Sequence, residues 1–130
     1  MRYLFEGALN SNLHAISDVT GHLIDTLERF LEDESTLFDV RLVLSELLIN
    51  GYEHGNRSNR NKRIYVTLNL ADNDITLSVR DEGQGFVFDC TDPLDPSCCS
   101  GRGLMLVQKL ADSVEIDNNC ITAVLSRPRA

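Results

Sequence analysis

The sequence predicts a single α+β domain: a two-layer sandwich with a mostly antiparallel mixed sheet and three helices on one face. Two pairs of short segments alternate apolar and polar residues and are joined by tight polar turns, as antiparallel hairpins are. Three other segments carry apolar residues at helical spacing. The chain has 130 residues, of which 42% are hydrophobic and 25% charged, and this size and composition suit one globular domain.

The first half of the chain predicts one strand followed by two helices. The strand is MRYLFEGAL, and the polar residues 10–12 after it have helix-capping character. From Leu13 to Leu31, apolar residues recur every three or four positions and predict the first helix. A polar turn, EDEST, then separates it from a second helix, expected from about Leu37 to His54.

The second half predicts four strands and one more helix. Segments 64–70 and 75–80 alternate and form one hairpin. SVEID and CITAVLS form another hairpin across residues 118–119. Between the hairpins lie a loop over residues 86–100, with two prolines and three cysteines, and a helix from Leu104 to about Ala111.

Charge and hydropathy exclude two classes of partner. The formal net charge is -8, whereas a nucleic-acid binder needs a basic face to neutralise phosphates, so we expect no direct contact with nucleic acid. The N-terminus shows no signal-peptide pattern, and no apolar segment is long enough to span a bilayer. We therefore expect a cytoplasmic protein without a membrane partner.

A polar line crosses the second predicted helix. On a helical wheel, Glu46, Asn50 and His54 follow one another at four-residue steps and border the apolar stripe. Leu42 and Ile49 flank the line on its other side. A merely solvated face would not be flanked by apolar residues on both sides, so the pattern favours polar groups lining a partly covered cleft. Ordinary boundary residues with local hydrogen bonds remain the alternative, above all for His54.

Two glycine-containing motifs suit a nucleotide. In RDEGQGF, Asp81 stands at a strand end, where a carboxylate can accept a hydrogen bond from the exocyclic amino group of adenine. Gly83 and Gly85 would let the backbone approach a flat base. In SGRG, the free N–H groups of a helix start would bind phosphate. Each motif is weak by itself, because Asp and Gly are also common turn residues.

The three motifs occur in one order along the chain: E-x-x-x-N…H-G, then D-x-G-x-G-F, then G-x-G-L. They resemble the N, G1 and G2 boxes of the GHKL ATP-binding fold (the histidine-kinase-like ATPase fold), which gyrase, heat-shock chaperones and histidine kinases share. The small size and NGYEHGN look most like the bacterial anti-sigma factor serine/threonine protein kinases of that superfamily. The resemblance implies one GHKL-type ATP-binding domain over residues 1–130, with a short lid at about 86–100.

The resemblance also implies a site for ATP and Mg²⁺. Asp81 would hold the adenine, Asn50 would hold Mg²⁺ together with the phosphates, and Glu46 would activate the attacking hydroxyl. Mg²⁺ takes oxygen ligands, keeps several waters and needs few protein ligands beside phosphates, so one amide oxygen fits. Besides Asn50 and Asp81, the residues expected to contact the nucleotide are Gly83, Gly85, Gly101, Arg102, Gly103, Leu104 and Thr122.

Two of these residues have a second possible interpretation. Arg102 either neutralises phosphate charge or is an exposed arginine at a helix start. The family's last strand has a Gly-Thr pair where this chain has Cys120-Ile121, and Thr122 comes one residue later. Since a shift of one residue turns a strand side chain to the other face, either Thr122 is out of place or the site does without that hydroxyl.

The function implied by the resemblance is an anti-sigma regulatory factor with serine/threonine kinase activity. It would bind Mg-ATP, control a sigma factor and phosphorylate the anti-anti-sigma antagonist, and the resemblance also admits a homodimer. One alternative is a non-catalytic nucleotide-binding switch, which would have no chemical need for Glu46. Another is a histidine-kinase fragment, which commonly carries an acidic residue after its phosphoacceptor histidine; Ala15 follows His14, and Leu23 follows His22.

Overall fold

Five strands form one antiparallel sheet in the computed structural model, which describes residues 2–56, 59, 61–83 and 101–127. In space they follow the order β1-β2-β3-β5-β4. Every described pairing is antiparallel, so this sheet is more regular than the mixed sheet expected. The strands are β1 (Tyr3–Asn10), β2 (Arg63–Leu70), β3 (Asp74–Arg80), β4 (Ser113–Asp117) and β5 (Cys120–Ser126).

Among the described residues, three helices cover one face of this sheet. They are α1 (Leu13–Leu27), α2 (Glu34–Asn50) and α3 (Gly101–Leu110), and a π-helical turn, Gly51–Gly55, continues α2. The fold predicted from the sequence is thus confirmed. In the described part of the chain, no helix is both long and apolar enough to cross a bilayer.

Strand alternation divides the sheet into two unlike faces. Every second residue of β2, β3 and β5 is buried and packs with the helices, and we call this face the helix side. The side chains between them point to the other face, which we call the open face. The buried strand residues on the helix side are Ile64, Val66, Leu68, Leu70, Ile75, Leu77, Val79, Ile121, Ala123 and Leu125.

Side-chain caps fix the starts of α1 and α2. Oδ1 of Asn12 accepts a hydrogen bond from the N–H of Ala15 at 2.7 Å, as the polar residues before the first helix predicted. Asp33 accepts from the hydroxyl of Thr36 at 2.7 Å. Because Asp33 caps α2 and Glu34 lies at its positive end, α2 begins at Glu34 and not near Leu37 as predicted.

The two predicted hairpins are confirmed closely. Strands β4 and β5 have the predicted bounds, while β2 and β3 each begin one residue earlier than predicted. Helix α3 begins at Gly101, three residues before the predicted Leu104, so the glycines of SGRG lie inside its first turn.

Candidate nucleotide site

The polar line on α2 is partly covered, as its apolar flanks predicted. Glu46 and Asn50 are both half-buried, and Leu42 and Ile49 beside them are half-buried too. Residues four apart on a helix are neighbours on one face, about 5–6 Å apart at Cβ. Asn50 ends α2, and its side chain makes no capping bond to the turn that follows. Its amide is therefore not used to close the helix.

The chain changes its helical period directly after Asn50. The N–H of Asn56 donates to the carbonyl of Gly51 at 2.7 Å, a bond across five residues that makes this turn wider than an α-helical one. Single π turns of this kind are frequent at functional sites. The wheel drawn at 100° per residue therefore does not extend to His54, whose side chain lies outside the described part of the structure.

Asp81 meets the end of α2 on the helix side of the sheet. A Cβ atom placed on Gly51 would lie 3.8 Å from Cβ of Asp81 and 3.7 Å from Cγ1 of Val79, both ordinary contact distances. Asp81 follows Val79 by two residues and so shares its face. The fold thereby brings Asn50 and Asp81, which are 31 positions apart in the sequence, to one end of the core.

Burial raises the pKa of the Asp81 carboxyl above its usual range. Two neighbours oppose that effect. The N–H of Gly83 donates to Oδ1 of Asp81 at 2.7 Å, and the positive charge of Lys62 also favours the carboxylate. The Gly83 contact fixes one carboxylate oxygen in a tight turn. A perturbed carboxyl at the rim of a core is a frequent property of binding sites.

Asn56 is a site residue that sequence analysis missed. It is fully buried, and Nδ2 donates to the carbonyl of Arg63 at 3.0 Å and to Oγ of Ser11 at 3.3 Å. Oδ1 accepts from the N–H of Glu82 at 2.8 Å. Asn56 thus ties the residue after Asp81 to β2 and to the junction of β1 with α1. The signal that could have indicated Asn56 is its closeness in the sequence to the polar line of α2.

The remaining predicted residues divide into three groups. Gly101 to Leu104 form the first turn of α3, where N–H groups have no partner within the helix, although their side chains lie outside the described part. Gly85 and the predicted lid, 86–100, lie outside the described residues altogether. Gly83 is half-buried beside Asp81.

Thr122 is not brought together with the other predicted residues. It pairs with Ser78 across β3 and β5, and the two hydroxyls lie 2.9 Å apart on the open face. On the helix side, Ile121 occupies the position opposite Val79 and is buried. The one-residue shift noted in the sequence therefore does turn the hydroxyl away from the face that holds Asp81.

Known proteins share this fold. The family model described as histidine kinase-like ATPase domain matches residues 9–126, nearly the whole chain. The chain belongs to this family. Solved structures agree at the level of the fold. The RsbU and RsbW domains of a Mycobacterium tuberculosis protein superpose with a TM-score of 0.61 at 21% identity, over 98% of this chain and 34% of that one.

A second solved structure is the histidine kinase domain of a blue-light activated histidine kinase from Erythrobacter litoralis. It has a TM-score of 0.51 and 17% identity, and the match covers 87% of this chain and 60% of that one. At these identities both structures support the fold alone.

Several relatives of this chain are named anti-sigma F factors. That of Oceanobacillus iheyensis is 30% identical over an alignment of 86 residues, and the match covers 62% of this chain and 59% of the relative. That of Bacillus subtilis is 28% identical over an alignment of 90 residues, and the match covers 64% of this chain and 61% of the relative. The match thus spans about three fifths of the length of these relatives.

Proposed function

We propose that this chain is an anti-sigma regulatory factor that binds Mg-ATP and acts as a serine/threonine protein kinase. It would phosphorylate a protein antagonist and control a sigma factor. The observation that carries the proposal is the closeness of Gly51 to Asp81, where a Cβ atom placed on Gly51 would lie 3.8 Å from Cβ of Asp81. This closeness brings the helix end that would hold the metal next to the strand end that would hold the base. The names of the anti-sigma F factor relatives support the biological role.

Each residue has a role that suits its surroundings. The half-buried carboxyl of Asp81 would accept a hydrogen bond from the adenine amino group, with Gly83 and Gly85 beside the base. The amide oxygen of Asn50 is the kind of hard ligand that Mg²⁺ prefers. Glu46, one turn before it on the same helix, would take the proton from the attacking hydroxyl. When bound, Mg²⁺ would supply neutralisation of phosphate charge.

The phosphates would lie at the start of α3. The first-turn N–H groups of Gly101, Arg102, Gly103 and Leu104 point along the helix axis and favour an anion. In this proposal Arg102 adds positive charge. Thr122 has no role in it, because its hydroxyl bonds to Ser78 on the open face.

The wider setting is proposed with the activity. Residues 1–130 would form one ATP-binding domain with a lid at about 86–100, working in the cytoplasm, with a sigma factor and an anti-anti-sigma antagonist as partners. A homodimer is compatible with this role. Neither nucleic acid nor membrane is a proposed partner.

A switch without catalysis is the second candidate. The relatives' names describe control of a sigma factor and not a reaction, so a nucleotide-loaded module that sequesters its partner fits them as well. The histidine kinase domain shares only the fold and adds no support for a third candidate, a histidine-kinase fragment. Glu46 separates the first two candidates, because a switch does not need a proton acceptor there.

The test measures binding and phosphotransfer side by side. ATP affinity with and without Mg²⁺ is determined by calorimetry, and transfer of radiolabel is followed from ATP to a candidate antagonist encoded beside the gene. Asn50→Ala should weaken Mg-ATP binding and reduce its dependence on the metal. Glu46→Gln should leave ATP affinity nearly unchanged and lower transfer by about 10² or more, if Glu46 is the general base.

Matched controls come from the open face. Glu115→Gln and Asn69→Ala make the same chemical changes at exposed positions of β4 and β2. They should alter neither the ATP affinity nor the phosphate transfer. A smaller drop for Glu46→Gln would mean that Glu46 positions the hydroxyl, since loose phosphoryl-transfer transition states depend little on a strong base. If the parent binds Mg-ATP and a partner but transfers no phosphate, the kinase proposal fails and the switch stands.

A further inference from the structure

One peptide group at the end of β3 is held at both ends by asparagine side chains. The carbonyl oxygen of Asp81 accepts a hydrogen bond from Nδ2 of Asn119 at 2.6 Å. The N–H of Glu82, in the same peptide group, donates to Oδ1 of Asn56 at 2.8 Å. Because a peptide group is planar, bonds at its two ends restrict rotation of the whole group.

Asn56 anchors this peptide group to the core. Its amide is fully buried, and Nδ2 donates to the carbonyl of Arg63 and to Oγ of Ser11, which is also fully buried. A buried amide is costly unless it is hydrogen-bonded, so these partners fix its orientation as well as its position. Its N–H closes the π turn on Gly51. Asn56 therefore fixes the position of the residue after Asp81 relative to the end of α2.

Asn119 lies in the turn between β4 and β5 and bonds to the carbonyl end of this peptide group. Asn118 has φ 58°, a left-handed conformation that asparagine tolerates better than most residues. This turn places Asn119 beside Asp81, where its carbonyl also accepts the N–H of Asp81 at 3.1 Å. The backbone of Asp81 is thus bonded on both its N–H and its carbonyl.

The orientation of this peptide group sets the backbone torsion ψ of Asp81. That torsion relates the Asp81 side chain to the turn ending at Gly83, whose N–H bonds to Oδ1. The Gly83 bond links atoms within one short turn and cannot by itself orient the turn relative to the core. The two asparagines supply that orientation, from elements distant in the sequence.

We propose that Asn56 and Asn119 are positioning residues that aim the Asp81 carboxylate at the adenine amino group and thereby determine base selectivity. The proposal rests on the proposed function, because it requires a base at Asp81. A purely structural role would lower stability and would affect ADP and GDP equally, since the two nucleotides share ribose and phosphates. Selectivity is therefore the quantity that distinguishes the two roles.

The experiment measures ADP and GDP affinities by calorimetry for the parent and for two variants, each with a matched control. Asn119→Ala removes the Nδ2 donor but keeps the backbone bonds, and Asn118→Gly changes the same turn while tolerating its positive φ. Asn56→Ala removes the acceptor of the hydrogen bond from the Glu82 N–H. Its control, Ser11→Ala, removes one hydrogen-bond partner of Asn56 and leaves that bond in place. Each asparagine variant should reduce the ADP preference by about tenfold, the effect of one hydrogen bond to a charged group.

The outcomes separate this proposal from the one before it. A parent that prefers ADP, with a smaller preference in Asn119→Ala and an unchanged one in Asn118→Gly, supports positioning. The same ADP preference in the parent and in Asn119→Ala overturns it and leaves the proposed function intact. A parent without any preference contradicts base recognition by Asp81 itself, and the positioning proposal falls with it.

A measurement on the parent covers the case in which Asn56→Ala does not fold. The bond to Asn56 predicts that the Glu82 amide exchanges its hydrogen slowly although it stands outside the strands, and more slowly with ADP bound. Exchange of the Glu82 amide at the rate of an unprotected peptide would overturn the proposal without any variant.

Discussion

The two faces of the sheet place their polar residues in different surroundings. On the helix side, Asp81 follows Val79 by two residues and lies next to the end of α2 at Gly51. On the open face, Thr122 bonds to Ser78, and Arg80 lies over the ring of Tyr65 at 4.6 Å from its centroid. Polar groups on the open face satisfy one another across strands.

This difference shows which polar residues can serve a ligand. A side chain on the helix side lies between two packed layers and is partly removed from water, so its charge and hydrogen bonds have large effects. A side chain on the open face competes with solvent, and its contributions are small. Strand alternation alone assigns each residue to one of these environments.

The largest contrast is expected in stability, between adjacent residues of β3. Leu77 is fully buried on the helix side, and Thr76 is half-buried on the open face. Leu77→Ala should lower the free energy of unfolding by about 2–5 kcal/mol through lost transfer energy and a cavity. Thr76→Ala should lower it by at most about 1 kcal/mol. Urea denaturation of both variants measures the contrast, and equal losses would contradict the division into two faces.

The next contrast is in nucleotide binding, between Asp81 and Thr122. Because Gly83 holds Oδ1 of Asp81, Asp81→Asn should keep that bond and place an amide donor where the parent has Oδ2. ADP should then bind about a hundredfold more weakly, while GDP should lose nothing, since its carbonyl can accept from the new donor. Thr122→Val should leave ADP affinity unchanged.

Calorimetry with both nucleotides decides this prediction. A loss of ADP affinity in Thr122→Val as large as that in Asp81→Asn would mean that the base approaches the open face. Unchanged ADP binding in Asp81→Asn would remove Asp81 from the site.

Periodicity predicted most of the fold. The bounds of β4 and β5 were predicted correctly because alternation with period two begins and ends sharply at polar turns. The apolar stripe of α2 was equally clear, and its members Val40, Val43, Leu44, Leu47 and Leu48 are all buried. The start of α2 was placed too late, because EDEST was interpreted as a turn although Asp33 is a capping residue.

The arrangement of the candidate site could be predicted where its residues form local motifs, and not where they bond over long distances in the sequence. Glu46, Asn50 and Asp81 stand out by spacing and by position at element ends. Asn56 bonds to residues 45 and 26 positions away, and no local pattern records such partners. The π turn is equally hidden, because one wider turn leaves the apolar pattern of α2 unchanged up to Gly51.

The smallest contrast is expected in the pH dependence of stability, and it also follows from the two faces. Burial raises the pKa of Asp81 in the folded protein above that of an unfolded aspartate, about 3.9. The protonated form is therefore favoured by folding. The contribution of this carboxyl to stability is full below about pH 3.9 and is lost as pH rises through the folded pKa.

Asp81→Asn removes this pH-dependent loss of stability, because an amide is neutral at every pH. The stability of the variant relative to the parent should thus increase as pH rises from about 3.9 through the raised pKa, and stay constant above it. The stability of Thr122→Val relative to the parent should not change with pH, since this substitution changes no ionisable group. Saturating ADP should reduce the increase, because a hydrogen bond from the base stabilises the carboxylate. Urea denaturation between pH 4 and 7 measures these differences, and a constant difference between Asp81→Asn and the parent would mean that Asp81 is as well solvated as a residue of the open face.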